Sequence, residues 1–388
     1  MIIQKGKRNT AVIFADKIDQ QTKTQIASIL REGAYADCKI RFMPDVHAGR
    51  HVPVGTVMSV NKQLSPSMLG SDIGCGIEVT RISACDIDFQ KLDAFVHAQI
   101  PCGAKIHDEP KSRYDLSGLH CIAAVDVSRA MRSLGTLGGG NHFIEIDRCK
   151  DGTLLLVVHS GSRQLGSDVL QYYQKAAFRA RCKKERRKCF LEQDFADQRG
   201  FVKAQNFSDR HVGQTEALME KELLTQYIDD VKIVNAYSAC NRALISDLIC
   251  SAMGFEVLER FSCVHNYIDT EHMILRKGAI SARQGERVVI PLNMRDGVIL
   301  GVGIGNPDWN FSAPHGAGRA CNRQDAKYAY TVEQFQREME GIFTTTAAEG
   351  SLDECPMAYK HPERILPFLT ETVEITEIAK PIYNFKAC

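Results

Sequence analysis

The ten residues GVGIGNPDWN, Gly301 to Asn310, decide which fold this chain can have. Their glycines imitate a dinucleotide-binding fingerprint, in which a strand runs through a Gly-x-Gly-x-x-Gly turn into a helix. The third glycine misses the required spacing, and Pro307 stands where the helix should begin. Both departures reject a Rossmann reading. No GxxxxGK[ST] motif occurs either, so a P-loop is excluded. Any nucleotide must be held by some other loop.

Working outward, GVILGVGIG (Gly297–Gly305) is one of several short apolar runs edged by turn residues, and each reads as a strand. The others are TAVIFA from Thr10, HFIEI from His142, LLLVVHS from Leu154, FSCVHNYI from Phe261 and RVVIPL from Arg287. CKIRFMPDVHAGRHVPVGTVMSV, from Cys38, reads as strand, loop, strand. Ile18, Thr22, Ile26, Ile29 and Leu30 fall on one face of an early amphipathic helix. Two longer helical blocks run from about Val169 to Glu192 and from about Glu216 to Met253, with Gly254 closing the second. The segment between them, residues 194–214, reads as a surface excursion. Strands and helices do not alternate regularly, so the expected class is α+β. One large domain over residues 1–388 is expected, with mixed sheets flanked by helices.

A formal net charge of +1 gives no global attraction to nucleic acid, so any such contact must come from local basic patches. With 44% hydrophobic residues the 388-residue chain can build a large core, yet no apolar run is long enough to span a bilayer. The first twenty residues show no signal-peptide pattern. The 14 cysteines contain no CxxC pair, which argues against zinc ribbons and thioredoxin-type chemistry. Reduced thiols in the cytoplasm are expected, most of them serving as small buried apolar residues.

One cysteine stands apart. In LGSDIGCGIE, Asp72 and Cys75 are three residues apart, and Gly74 and Gly76 flank the cysteine in a turn able to aim both side chains at one point. The plainer alternative is a buried turn cysteine beside a solvated aspartate. His142, His159 and His265 each lie at the edge of an expected strand, next to Gly, Ser or Asn. A lone strand histidine is more often structural, but three beside an Asp-x-x-Cys turn shift that balance. Three imidazoles, a thiolate and a carboxylate suffice for two divalent metals sharing a ligand. Ligand softness alone favours zinc.

SAPHGAGR, Ser312 to Arg319, sets a histidine inside a glycine-rich run closed by an arginine. Glycines let backbone N–H groups approach an anion, and the arginine can neutralise a phosphate. The histidine reads as a metal ligand, a proton shuttle, a nucleophile or a plain loop residue. The block from Lys175 to Lys188 carries eight basic residues around most of a helix, and it reads either as a solvated helix or as a contact for phosphate backbones.

Taken together, these motifs resemble the RtcB family of RNA-splicing ligases across nearly the whole chain. The resemblance rests on MPDVH (Met43–His47), SDIGCG (Ser71–Gly76), GTLGGGNHFIEI (Gly135–Ile146) and VHSGSR (Val158–Arg163). It continues through HNY (His265–Tyr267), RKGAISA (Arg276–Ala282), HGAGR (His315–Arg319), DECPMAYK (Asp353–Lys360) and the closing KPIYNFKAC. It implies a GTP- and manganese-dependent ligase that joins RNA 3′-phosphate or 2′,3′-cyclic phosphate ends to 5′-hydroxyl ends, in RNA repair or tRNA splicing. Manganese, two ions, then replaces zinc as the expected metal.

The resemblance also implies roles. His315 attacks the α-phosphate of GTP and becomes guanylylated, Asp45 orients it, and Arg319 counters phosphate charge. Asp72, Cys75, His142, His159 and His265 become metal ligands, with Cys75 the bridge. Asn141, His142, Glu145, His265, Asn266, Asn293, Met294, His315, Gly316, Ala317, Gly318 and Lys386 match nucleotide-binding positions. Arg163, Arg276 and Lys277 are candidates for RNA. The chain departs from the family at PLNMRD (Pro291–Asp296), where relatives usually carry Pro-Gly-Ser-Met-Gly-Thr, and at Val298, where a polar residue is common; this points to a divergent paralogue. Two other classes compete: a binuclear metal phosphoesterase acting on cyclic phosphate ends without GTP, and a non-catalytic RNA-binding paralogue.

Overall fold

A computed structural model describes residues 1–83, 86–184 and 217–387 of the chain. Strands β1 (Ile2–Lys5) and β2 (Thr10–Ile13) precede helix α1 (Gln20–Arg31), followed by β3 (Ile40–His47), β4 (Val54–Ser59) and β5 (Gln63–Leu64). Strand β6 (Gly76–Ser83) leads through α2 (Phe89–Gln99) and α3 (Val127–Ser133) to the hairpin β7 (Phe143–Arg148) and β8 (Leu154–Ser160). Helix α4 (Gln164–Lys184), β9 (Met219–Glu220) and the long helix α5 (Lys221–Met253) come next. Then follow β10 (Glu256–Val264), β11 (Asn266–Asp269), β12 (Ile274–Lys277), β13 (Ala279–Ser281) and the hairpin β14 (Arg287–Asn293) and β15 (Gly297–Gly303). The last elements are β16 (Ser312–Pro314), α6 (Arg323–Ala329), α7 (Val332–Glu338), α8 (Leu366–Leu369) and β17 (Val373–Lys386).

The strands form a six-stranded sheet, β1-β2-β3-β4-β12-β11, and a seven-stranded sheet, β10-β6-β8-β7-β17-β15-β14. The first is mixed, because β2 and β3 run parallel; the second is antiparallel throughout. The class is therefore α+β, as expected. Pro307–Trp309 forms a single 3-10 turn where a nucleotide-binding fold would start a helix. Trp309 is fully buried there and stacks on Phe14 at 3.8 Å.

Helix α1 buries Thr22, Ile26, Ile29 and Leu30, the expected face, and Asp19 caps it by accepting from the Thr22 backbone N–H at 2.8 Å. Two expectations need correction. Helix α4 starts at Gln164, five residues before the expected Val169. Arg163 turns the chain with a left-handed φ of 57°, and Leu165, Val169, Tyr173 and Ala177 then form one buried stripe. Gly166 hides this first turn from the sequence, yet it fits a close approach, since a Cβ there would lie 2.4 Å from the Ser71 carbonyl. The expected end of this block at Glu192, the excursion at 194–214 and the basic residues from Lys184 onward lie outside the described side chains. The second correction is FSCVHNYI, which is not one strand. Its first part ends β10 in the seven-stranded sheet, and its last part starts β11 in the six-stranded sheet. His265 is the residue at which the chain changes sheets.

Among the described residues no disulfide joins two cysteines, and no helix is long and apolar enough to cross a membrane. What matters most for the site is register. Gly76 pairs with both Val264 and Ser160, while His159 pairs with Ile77 and Phe143, and Phe143 with Lys386. One end of five adjacent strands thus gathers Cys75, His142, His159, His265 and Lys386.

Candidate active site

Cys75 ends the turn before β6, and its Sγ lies 3.4 Å from His142 Nε2 and 3.3 Å from His159 Nε2. His159 Nε2 is 3.4 Å from His265 Nε2. The ring orientations are set from behind. His142 Nδ1 donates to the Leu137 carbonyl at 2.7 Å, and His159 Nδ1 to the Asn141 carbonyl at 3.2 Å. Both Nε2 atoms therefore carry lone pairs. Burial pushes His142 down to about 4 and holds His159 and His265 well below the usual imidazole range, with neighbouring imidazoles adding to the effect on those two. Burial also pushes the Cys75 thiol up to about 12, with Asp72 adding to it. Neutral imidazoles and a buried thiol crowded to 3.4 Å are unfavourable alone but suit a divalent cation, which would draw off the thiol proton. The donor set fits a metal. Asp72 shares the turn and lines the same cleft, but its exposed carboxylate lies outside the tight Cys75–His159–His265 group.

His315 follows β16 directly. Its Nδ1 lies 2.7 Å from Asp45 Oδ2, and its backbone N–H donates to the same oxygen at 3.2 Å. Asp45, on β3, is fully buried. This contact fixes the proton on Nδ1 and leaves Nε2 with a lone pair. The His315 ring packs edge-on against His265, with centroids 5.0 Å apart, so the dyad abuts the cysteine–histidine group. Gly318 has φ 73°, and a Cβ there would sit 2.3 Å from the Asp45 carbonyl oxygen; only glycine lets the loop close on this strand. Lys360 ties both parts together. Its Nζ donates to the Pro44 and Val46 carbonyls at 3.2 Å each, and its backbone N–H donates to the Gly318 carbonyl at 2.9 Å.

The cleft around these groups measures about 1810 Å³. All the residues expected to hold a nucleotide line it: Asn141, His142, Glu145, His265, Asn266, Asn293 and Met294, the His315–Gly318 run, and Lys386. The departing PLNMRD segment closes the β14–β15 hairpin, where Asn293 Oδ1 accepts from the Arg295 and Asp296 backbone N–H groups. Glu145 accepts from Asn384 at 2.8 Å, and burial raises it to about 7. Arg319 lines the cleft, but its guanidinium braces the Asp353 and Cys321 carbonyls and pairs with Glu354 at 3.1 Å.

Glu354, within the DECPMAYK motif, is the hub of that region and is 1% exposed. It meets Arg319, Arg323, Lys386 and the Tyr359 hydroxyl. Burial alone would raise it, but Lys386, Arg323 and Arg319 outweigh burial and hold it at about 2. A folded value below the unfolded one stabilises above the ordinary carboxylate range, and that stability is lost as pH falls toward the folded value. Glu354→Gln removes the carboxylate that Arg319, Arg323 and Lys386 share, with Arg323 keeping Asp353 at 2.6 Å, and should cost about 3–5 kcal/mol at neutral pH. Its deficit against wild type should narrow as pH drops from about 4.3 toward 2. Denaturant unfolding across that range checks this; a deficit constant with pH refutes the assignment.

The three arginine and lysine candidates for RNA separate. Arg163 and Lys277 line the cleft. Arg276 does not: it is fully buried, paired with Asp269 at 3.2 Å and hydrogen-bonded to Ser312 and Tyr267. Sequence reasoning also missed a buried pair on α5. Arg242 donates to the Gly74 carbonyl at 2.8 Å and the Ser160 carbonyl at 3.1 Å, the residues next to Cys75 and His159. Asn241 accepts from the Gly135 backbone N–H at 2.8 Å and donates to the Gly161 carbonyl at 3.2 Å. Together they clamp the loops that carry the thiol and imidazoles. The available signal was Asn-Arg within a helical stripe that is mostly apolar.

A family model described as "tRNA-splicing ligase RtcB" matches residues 30–124 and 106–387. The chain belongs to the RtcB family. The RNA-splicing ligase RtcB of Escherichia coli K12 is 27% identical to it over 365 residues, covering 87% of each chain. The RNA-splicing ligase RtcB2 of E. coli strain ATCC 25922 is 28% identical over 378 residues, covering 89% of this chain and 86% of its own. The tRNA-splicing ligase RtcB of Aeropyrum pernix is 23% identical, covering 94% of this chain and 92% of its own. The cleft described above is therefore built on a chain of the RtcB family.

Proposed function

We propose that this RtcB-family protein is an RNA ligase, acting as a single domain, that joins 3′-phosphate or 2′,3′-cyclic phosphate ends to 5′-hydroxyl ends. GTP and manganese are its cofactors, and its reduced thiols suit the cytoplasm. The observation that carries the reading is the Asp45–His315 contact at 2.7 Å beside the buried cysteine–histidine group, within one cleft. Asp45 holds the proton on Nδ1, so His315 Nε2 attacks the α-phosphate of GTP, and the carboxylate stabilises the charge that grows on the ring. Gly316, Ala317 and Gly318 present backbone to the nucleotide, and Asn141, Glu145, Asn266, Asn293, Met294 and Lys386 surround it. Cys75, His142, His159 and His265, with Asp72 from the turn, would hold two metal ions, which when bound supply Lewis acidity toward the phosphates. GMP then passes from His315 to the RNA 3′-phosphate, and the 5′-hydroxyl displaces it.

The test is incubation with α-labelled GTP and manganese, followed by a denaturing gel. An acid-labile label on the protein is the expected result. Its absence, with cyclic-phosphate opening retained, would favour a metal phosphoesterase. Arg163 and Lys277 in the cleft are the RNA contacts of this reading, and Lys183, exposed near the end of α4, is a solvated side chain. Lys183→Glu with Arg187→Glu should therefore leave ligation and its salt dependence unchanged. Salt titration of RNA binding decides this, because each lost phosphate contact would flatten the log–log slope by roughly 0.7 to 0.9.

A further inference from the structure

Six imidazoles line the cleft: His47, His51, His142, His159, His265 and His315. Three surround Cys75, and His315 is the nucleophile of the proposed reaction. His51 is exposed at the mouth. That leaves His47, which the MPDVH motif carries two residues after Asp45 and which has been given no task.

Its ring is set in the same way as that of His315, and by the same residue. Asp45 Oδ2 takes the Nδ1 proton of His315 at 2.7 Å, and the Asp45 backbone carbonyl takes the Nδ1 proton of His47 at 2.9 Å. A carbonyl oxygen only accepts, so His47 carries its proton on Nδ1, and Nε2 keeps a lone pair. The ring lies at the end of β3 in the wall of the cleft, where the loop that follows is pinned to α1. Gln25 donates to the Gly49 carbonyl at 2.7 Å and accepts from the Gly49 N–H at 3.2 Å. The imidazole therefore has a fixed tautomer and a braced backbone, which a general base needs. Burial pushes it down to about 4; the hydrogen bond to Asp45 opposes this, His315 and Lys360 add to it, and the Asp45 charge opposes it. It is neutral at neutral pH and able to accept a proton, and the phosphates of a bound substrate would raise its basicity.

The proposed reaction leaves one proton without an acceptor. When the 5′-hydroxyl attacks the activated 3′-phosphate, a new P–O bond forms, the P–O bond to GMP breaks, and the hydroxyl proton must leave. The ring nitrogens of His142, His159 and His265 that face Cys75 would be taken up in holding a metal. Building on the proposed ligase activity, we propose that His47 is a further catalytic residue, whose Nε2 accepts the proton of the attacking 5′-hydroxyl in the sealing step. The imidazolium so formed returns its proton to water once GMP has left.

The sealing step can be isolated by supplying RNA whose 3′-phosphate already carries GMP, together with a 5′-hydroxyl strand and manganese. In His47→Gln, sealing of this RNA should fall by about 100-fold or more, in line with the loss of a general base. GMP-adduct formation on His315, measured in the same preparation, should fall far less and serves as the check on folding. Activated RNA should accumulate when the variant starts from a plain 3′-phosphate. In His47→Ala, free imidazole should restore part of the sealing rate. Sealing within a few-fold of wild type overturns the assignment, as does a parallel fall in sealing and adduct formation. Failure of the ligase reading looks different: there the wild-type protein itself forms no adduct and seals no activated RNA.

Discussion

His315→Ala protein incubated with α-labelled GTP and manganese should carry no covalent label, while its metal content should stay near that of wild type. The first half follows from chemistry. A phosphoramidate needs an imidazole nitrogen with a free lone pair, and the Asp45 contact at 2.7 Å leaves that lone pair on Nε2 of His315. The second half follows from geometry. His315 meets the metal-type cluster through an edge-on ring contact with His265, while the tight donor group consists of Cys75, His159 and His265. The loop should also survive the change, because its backbone is fixed from elsewhere: Lys360 N–H holds the Gly318 carbonyl, and β16 pairs with β13 up to Pro314. Label retained at wild-type levels in this variant would remove His315 as the nucleophile.

The second large effect is expected at Cys75. Cys75→Ala should lose bound metal and adduct formation together, with elemental analysis as the direct readout. Its sulfur is the atom that lies within 3.4 Å of both His142 and His159, so no other donor can take its position between them. Without a thiolate the site presents only neutral imidazoles and the more distant Asp72, and divalent cations lose their one close anionic ligand. The fold should tolerate the change at about 1 kcal/mol, a typical cost for a small substitution. Full metal occupancy in Cys75→Ala would make the cysteine an ordinary core residue.

Much of the fold could be read from the sequence, because its strands are short apolar runs with turn residues at their edges. TAVIFA, LLLVVHS and RVVIPL each hold strands where periodicity places them. The failures have physical causes. A continuous apolar run carries no mark of the point where the chain leaves one sheet for another, so FSCVHNYI reads as one strand when His265 in fact divides two. Glycine lowers helix propensity, so Gly166 conceals the start of α4, where it is needed for a close approach to Ser71. At the site, histidines beside Gly, Ser or Asn at strand edges were visible. Arg276 was not assignable, because a basic residue in a strand looks the same whether it faces solvent or pairs with a buried Asp269. Asn241, Arg242, Lys360 and Glu354 went unassigned since they act on backbone carbonyls and on other side chains, contacts that no local pattern encodes.

The seven-stranded sheet is completed by β17, which lies between β7 and β15. Asn384 and Glu145 meet there across 239 residues of sequence. Pairings this distant in sequence form slowly, because a large loop must close before any contact repays the lost freedom. Until that happens β7 has an open edge beside the histidine-bearing hairpin, and β15 has another. Each presents unsatisfied N–H and C=O groups able to capture a strand of a second molecule. Refolding yield should therefore fall steeply with protein concentration, and a synthetic peptide copying Val373–Lys386, added early, should lower it further by occupying the vacant groove. The same placement makes the active site a late product of folding, since Lys386 reaches the Asn141 carbonyl only after that last gap in the sheet has been filled.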